Sequence, residues 1–553
     1  MKTKFVLYAT AAIGMLFGLP AAGQSIAVTN ARIVTVSGTP IEKGTVVVRN
    51  GLIEAVGATV KIPADAQIID AAGLTVYPGF IDSLTSVGLP AAPARPQPAG
   101  PGTGQATAAA AQVPAPQSNS NYPEGLRPEV FVVDDLRAGD AQFETTRNAG
   151  FTTVVTVGRT GIFNGRSAVI NVAGDNVSAA IVKAPFAEHV SFATIPGQYP
   201  GSLLGTFSAF RQMFLDAHRL QEMQKMYAAN PKGMKRPDTD QSLEALIPVL
   251  NRQIPIVFNA NREIEIIRAL DLAKEFSLRA IIAGGQESWK LTDRLRAENV
   301  PVLLSVNFPK RTAAASTDAD PESLELLRFR AETPKAAARL QQAGVKFAFQ
   351  SGGATNLADY FSNAGKAVEN GLSRDAAIRA MTLSAAEILG VDDRTGSIEN
   401  GKIANLTVVK GDLFGKERFA SHIIVDGRLY EQKEPPRPAP GRPATAAGEP
   451  APAVANVGGN YSIAIQIPGQ TLTGTLALVQ QGAIVTGTLQ TQLGTSTVKD
   501  GKVTAEGFSF ASSVEIGGST VDIVVRGNVT GNNISGTIDS PQGTAAFSGT
   551  RNP

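Results

Sequence analysis

Between Ile26 and Ile69 apolar and polar side chains alternate along the chain with the period of a half-buried strand. The runs Ile26 to Val28, Ala31 to Val36, Gly44 to Val48 and Leu52 to Val56 are divided by turn residues. Asn50-Gly51 sits between two of them, a strong hairpin signal because the tightest hairpin turns need positive φ. A small antiparallel sheet is predicted there, ahead of the main domain. From Val76 to about Gly390 the period changes. Apolar runs at 153–157, 254–258, 280–283, 300–306 and 345–349 alternate with segments of helical spacing. The clearest of these is Arg262 to Phe276, with Ile266, Ile267, Leu270, Ala273 and Phe276 on one face. Successive strand–helix units predict an α/β domain of the (β/α)8 barrel type, with a doubly wound open sheet as the structural alternative.

From about Gly458 the pattern is strand-like throughout. Tyr461, Ile463, Ile465 and Ile467 alternate with polar residues, and Leu472, Leu476 and Leu478 do the same. A small-Gly-Thr signature recurs at Thr473-Gly474-Thr475, Thr486-Gly487-Thr488, Ser535-Gly536-Thr537 and Ser548-Gly549-Thr550, with 13 residues between the members of each pair. That spacing predicts a meander of hairpins closing into a small barrel or sandwich, read as a stability or docking module because no titratable cluster marks it as catalytic.

At 553 residues the chain exceeds one hydrophobic core, so two or three domains are expected. Residues 90–121 and 435–455 are built of Ala, Pro, Gly and other small residues and lack the apolar groups to offset ordering entropy. They are read as a disordered insertion in a barrel loop and a linker. The first 23 residues carry Lys2 and Lys4, an apolar stretch from Phe5 to Leu19, and small residues at Ala21 and Gly23. This is the pattern of a cleaved signal peptide, with no later span, and it predicts a periplasmic or secreted protein. Without that leader, Lys plus Arg balance Asp plus Glu, which argues against nucleic acid or an anionic membrane as partner. Cysteine is absent, so there is no disulfide framework and no thiolate site.

Two motifs then give the chain a family resemblance. Gly73-Leu74-Thr75-Val76-Tyr77-Pro78-Gly79-Phe80-Ile81-Asp82 resembles the segment that leads into the barrel of amidohydrolases of the imidazolonepropionase and dihydroorotase type. Gly396 to Leu406, followed by Ile423-Ile424-Val425-Asp426-Gly427-Arg428, resembles the return of those enzymes to their flanking β-sandwich, with Asn405 where the family usually carries Asp. The resemblance implies a β-sandwich composed from both ends of the barrel, its leading segment at 24–75 and its closing segment at 396–434. The barrel lies between them at 76–395, and a C-terminal all-β domain follows at 456–553.

It also implies zinc or a similar divalent metal at the strand ends, where it activates a water and polarises the scissile carbonyl. The family's ligands are a His-x-His pair, usually a lysine carbamate or carboxylate, two further histidines and an aspartate. Here the pair falls on Leu84 and Ser86, the fifth strand ends Phe258-Asn259-Ala260-Asn261, the sixth-strand position falls near Gly284, Gly285 or Gln286, and the final aspartate falls within Gln350-Ser351-Gly352-Gly353. Leucine has no lone pair, a neutral hydroxyl is a poor zinc ligand, and amide oxygens suit hard cations only beside carboxylates.

The expectation is therefore a retained fold without the metal: no cofactor, and a neutral pocket lined by Leu84, Ser86, Asn259, Asn261, Gln286, Ser351 and Gly352 for a small-molecule or peptide-like ligand. The amides satisfying one another is the bland alternative. Homo-oligomers, or assembly with an active amidohydrolase, are further partners the resemblance implies. The rival class is an active hydrolase of carbon–nitrogen bonds other than peptide bonds, relying on unfamiliar ligands such as Asp82, His189 or Glu287 or on a metal-free mechanism, and a third is a surface or matrix protein using the barrel as a spacer. Of the three histidines, His218 reads as a solvated helix residue, His422 as a sandwich residue, and His189 as the one that reaches a strand end. Asp134-Asp135 and Asp392-Asp393 read as helix caps or turns.

Overall fold

The computed structural model describes residues 25–90, 122–311, 322–434 and 457–552, apart from gaps at 124, 140, 160, 175, 195–198 and 353–356 and short gaps in the last segment. The leader, most of the 90–121 insertion and the 435–455 linker lie outside the described residues. The chain forms two compact units, 1–436 and 437–553.

The first unit opens with β1 (Ile26–Ile33), β2 (Ile41–Arg49), β3 (Leu52–Gly57), β4 (Gln67–Asp70) and β5 (Thr75–Pro78). Ten more strands follow between helices: β6 (Phe80–Thr85), β7 (Phe151–Thr156), β8 (Phe163–Arg166), β9 (Ala168–Asn171), β10 (Ile181–Lys183), β11 (Glu188–Ser191), β12 (Ile256–Ala260), β13 (Ala280–Gly284), β14 (Val302–Ser305) and β15 (Phe347–Gln350). β16 (Leu406–Lys410), β17 (Phe419–Val425) and β18 (Arg428–Glu431) close the unit.

β1–β5 and β16–β18 form one eight-stranded sheet, ordered β18-β17-β16-β5-β1-β2-β3 with β4 also on β1. It is a mixed sheet rather than an antiparallel one ahead of the main domain, because β4 and β5 both run parallel to β1. The two expected strands at 26–28 and 31–36 are one strand with irregular register near Asn30, which sits at φ 59°. One apolar core, including Ile26, Val28, Val76, Leu406 and Ile424, serves strands from both ends of the unit.

The strands between pair as β10-β9-β7-β6 and β15-β14-β13-β12-β11-β8. β6 and β7 are parallel, as are β11 through β15. Side chains alternate between two cores, as the strand period demands. Ile81, Val155, Val257, Ile281, Leu303 and Ala348 share one cluster. Phe80, Phe258, Ile282, Leu304 and Phe349 share the other with helix residues such as Ile266, Leu270, Leu295 and Leu340.

The expectation of unbroken parallel strand–helix units fails once. β9 is antiparallel to β7 and β8 is antiparallel to β11. Only Val157 to Ile162 separates β7 from β8, and the chain turns back there, so that β9 runs along β7 in the opposite direction. Ser167, between β8 and β9, exchanges backbone hydrogen bonds with the segment before β11, donating to Ala187 O at 2.9 Å and accepting from Phe186 N at 2.8 Å. The run from Phe163 to Asn171 thereby joins the two sheets.

The framing motifs are packed tightly. A Cβ at Gly79 would lie 2.0 Å from Thr152 Oγ1, so β6 approaches β7 this closely only because the position has no side chain. Asn405 Nδ2 donates to Asn171 Oδ1 (3.0 Å) and Thr153 Oγ1 (3.2 Å), and its Oδ1 accepts from Asp426 N (2.9 Å). An Asp there would lack the amide donor, which gives the departure from the family residue a local reason.

The second unit is a closed antiparallel barrel. Its strands are β19 (Gly459–Ile467), β20 (Gln470–Gln481), β21 (Ile484–Thr491), β22 (Gly494–Thr497), β23 (Lys499–Val503), β24 (Phe508–Ile516), β25 (Ser519–Thr530), β26 (Asn533–Ser540) and β27 (Gly543–Arg551). β19–β27 and β20–β21 pairing complete the ring, with β22 attached to β21, so the alternatives of barrel and sandwich resolve to a barrel. In each small-Gly-Thr motif the hydroxyl residues are exposed and the glycine between them is partly buried. A Cβ would lie 2.4 Å from Gln490 O at Gly474, 2.0 Å from Arg526 O at Gly536 and 2.3 Å from Ser462 O at Gly549. The repeated glycines are where strands bend close against their neighbours, as a narrow barrel requires.

Candidate functional site

One end of the paired sheets holds a cavity of about 440 Å³. Most of its wall comes from the carboxyl ends of strands: Leu84 and Ser86 at β6, Arg159 after β7, Asn259 and Asn261 at β12, Gln286 after β13, Ser305 and Asn307 at β14, and Gln350 and Gly352 at β15. Asn164 joins them from β8. Because β8 runs antiparallel, its first residues rather than its last reach this end.

Ser351 is the exception among the expected lining residues. It is buried, and its N–H donates to Asp82 Oδ1 at 2.9 Å, so it turns away from the cavity wall and toward β6. Gly284 is at φ +88° and a Cβ there would lie 2.4 Å from Asn261 Oδ1, so glycine leaves room for the amide beside it.

The lining amides are unequally committed. Gln286 Nε2 donates to Asn307 O (3.0 Å), Gln350 Oε1 accepts from Gly352 N (3.0 Å), and Asn164 Nδ2 donates to Gly161 O (3.1 Å). Asn164 Oδ1 is buried without a partner. Among the described residues the side-chain amides of Asn259, Asn261 and Asn307 make no hydrogen bond, to one another or elsewhere. Arg159 uses Nη2 on two carbonyls, Ser86 O (3.2 Å) and Leu89 O (3.4 Å), and pairs with no carboxylate among the described residues. Among those residues it is the one charged group on the wall.

The titratable residues named from the sequence lie elsewhere. Asp82 is 1% exposed, and burial pushes its carboxyl up to about 6 against the lowering effect of hydrogen bonds from Ser351 and Leu84. Its Oδ2 has no partner. His189 is 0% exposed, with Nε2 2.8 Å from Ser167 Oγ and Nδ1 unpartnered, and burial pushes its pKa down to about 3. It is therefore neutral and inside, not at the strand end expected of it. Glu287 caps a helix, accepting from Glu263 N (2.9 Å) and Lys290 Nζ (3.0 Å). Burial raises its pKa, but those hydrogen bonds outweigh it and hold it below the usual carboxylate value. His218 is exposed on the helix Leu203–Ala229, and His422 lies in β17. Asp134 and Asp135 lie in a short helix, Val132–Asp135.

These donors do not match a catalytic zinc. Leu84 offers none, Ser86, Asn259, Asn261 and Gln286 offer neutral oxygens, and among the described residues no three His, Cys, Asp or Glu side chains converge. The wall can instead donate and accept hydrogen bonds at many points and attract one negative charge. Sequence reasoning missed Arg159, Asn164, Ser305 and Asn307, and it named Gln350 only as part of the run in which the family's final aspartate would fall. The signal was the one used for Asn259, a polar residue at the end of an apolar run, and it went unread where no family motif marked the position.

The model of the amidohydrolase family matches residues 292–437. Among solved structures, an amidohydrolase from Thermotoga maritima MSB8 is 26% identical, with a TM-score of 0.60, over 74% of this chain and 100% of that one. A prolidase complexed with N-methylphosphonate-L-proline is 16% identical, with a TM-score of 0.44, over 74% of this chain and 100% of that one. No curated protein sequence matches.

Proposed function

Starting from a chain that belongs to the amidohydrolase superfamily, we propose an exported protein that has kept the family's barrel and exchanged its metal chemistry for ligand binding. The two sheets, joined by Phe163 to Asn171, are then the wall of a (β/α)8-like barrel with one reversed strand. The observation that carries the reading is the cavity wall itself. Leu84, Ser86, Asn259, Asn261 and Gln286 stand at the strand ends, and the amides of Asn259 and Asn261 are unbonded among the described residues. Such groups recognise a small polar molecule without activating water, because none is a base near neutral pH.

The test is the metal content of the chain purified without chelator from cells supplied with zinc and manganese. The expected result is folded protein with no metal that survives dialysis, starting near Gln24 by N-terminal sequencing. Near-stoichiometric metal that resists dialysis would overturn the binding reading and favour a hydrolase with unfamiliar ligands.

A further inference from the structure

The chemistry of the cavity wall narrows what it holds. Resting on the binding reading above, we infer that the ligand is a small polyhydroxylated monoacid, of the sugar-acid class, with its carboxylate at Arg159.

The balance of the wall is the first argument. Among the described residues, Asn259, Asn261 and Asn307 on the wall each present an unbonded carbonyl oxygen beside an unbonded NH2, so each can accept and donate in one plane. A hydroxyl also donates and accepts, and two adjacent hydroxyls match one amide at both ends. Among the described residues, Leu84 and Val157 are the only aliphatic side chains larger than a methyl group on the wall. A peptide-like ligand would bring apolar side chains for which this wall has little to offer, whereas a ligand polar on every side satisfies it. A volume of about 440 Å³ leaves room for a hydrated sugar ring.

Charge is the second. Arg159 is exposed at the rim, with Nη2 anchored on Ser86 O and Leu89 O. It has no carboxylate partner among the described residues. A guanidinium tied to the backbone through one nitrogen keeps its remaining N–H groups for an anion and is already oriented. Among the described residues no carboxylate lines the cavity to oppose that anion or to welcome a cation.

Isothermal titration calorimetry on the full chain decides between classes, with D-glucuronate, D-galacturonate, D-glucose and alanyl-proline as probes. A uronate should bind roughly tenfold or more tightly than glucose, a margin of the size a charge-assisted hydrogen bond supplies. Arg159→Ala should erase that margin, Arg159→Lys should keep part of it, and Asn259→Ala should weaken uronate and glucose alike. Binding of alanyl-proline in preference to both uronates, or a margin unchanged in Arg159→Ala, overturns the ligand class while leaving the binding reading intact. Silence from all four probes in a metal-free, folded chain also overturns it. Hydrolysis of alanyl-proline by a metal-loaded chain fails the binding reading itself.

Discussion

The frame of the first unit and the mouth of its cavity are built from similar residues under opposite constraints. Gly79 and Asn405 sit in the frame. The first meets Thr152 where any Cβ would collide, and the second spends both ends of its amide on Asn171, Thr153 and the Asp426 N–H. The side-chain amides of Asn259 and Asn261, at the mouth, bond to nothing among the described residues, although the Asn261 backbone is held by Glu265 and Glu287. An asparagine held by three partners is explained by folding, while one with no partner is not. The mouth is where the chain is free to answer to a ligand.

That contrast breaks most visibly at Gly79. Gly79→Ala places a methyl inside the van der Waals radius of Thr152 and should destabilise the first unit by about 3 kcal/mol, the upper end of overpacking costs. Urea unfolding followed by tryptophan fluorescence reads this unit selectively, because the one tryptophan, Trp289, lies within it. A loss below about 0.5 kcal/mol would mean that the strands relax freely and that the frame is looser than its contacts imply. Asn405→Ala comes next, at about 2 kcal/mol by the same measurement, since it leaves the Asp426 N–H without its acceptor and takes a donor from Asn171 Oδ1 and Thr153 Oγ1, which keep their bond to each other.

Two buried groups between frame and mouth sharpen the comparison through pH. Asp82 has its pKa raised to about 6, so the folded state takes up its proton first and stability from this group rises as pH falls from about 6 toward 3.8. His189 has its pKa lowered to about 3, so the unfolded state takes up its proton first and stability is lost as pH falls below 6.5. The two contributions oppose each other between about pH 6 and 4. Asp82→Asn should therefore make the chain more acid-labile than wild type, and His189→Asn less so, each by about 1 kcal/mol per pH unit in the unfolding free energy from urea titrations. Equal slopes in both variants would show that neither group is buried as the structure has it.

Most of the frame was legible in the sequence because period-two and helical spacing are local, and because Pro78-Gly79 and Gly396 to Leu406 mark both ends of the α/β segment. The reversed strand was not. Phe163 to Asn171 carries no local sign of its direction, which is set by pairing with β11 on one side and β7 on the other. Closure of the second unit was likewise settled by β19–β27 pairing across the whole unit, a contact with no local signature. At the mouth, Asn259 and Asn261 were found because a family motif pointed to them. Ser351 was placed on the wall by alignment, and it turns inward because its N–H has a carboxylate to reach at Asp82.

The smallest expected effect is the most informative about the mouth. Asn259→Ala and Asn261→Ala remove amides that bond to nothing among the described residues, so each should change stability by no more than about 0.5 kcal/mol, the range of substitutions that break no contact. Ligand affinity should fall instead, and the double variant should lose it altogether while unfolding at the wild-type urea midpoint. If either single change costs more than about 1 kcal/mol, beyond what a substitution that breaks no contact costs, these amides are structural after all. The distinction drawn from Asn405 would then fail at the two residues on which the binding reading rests.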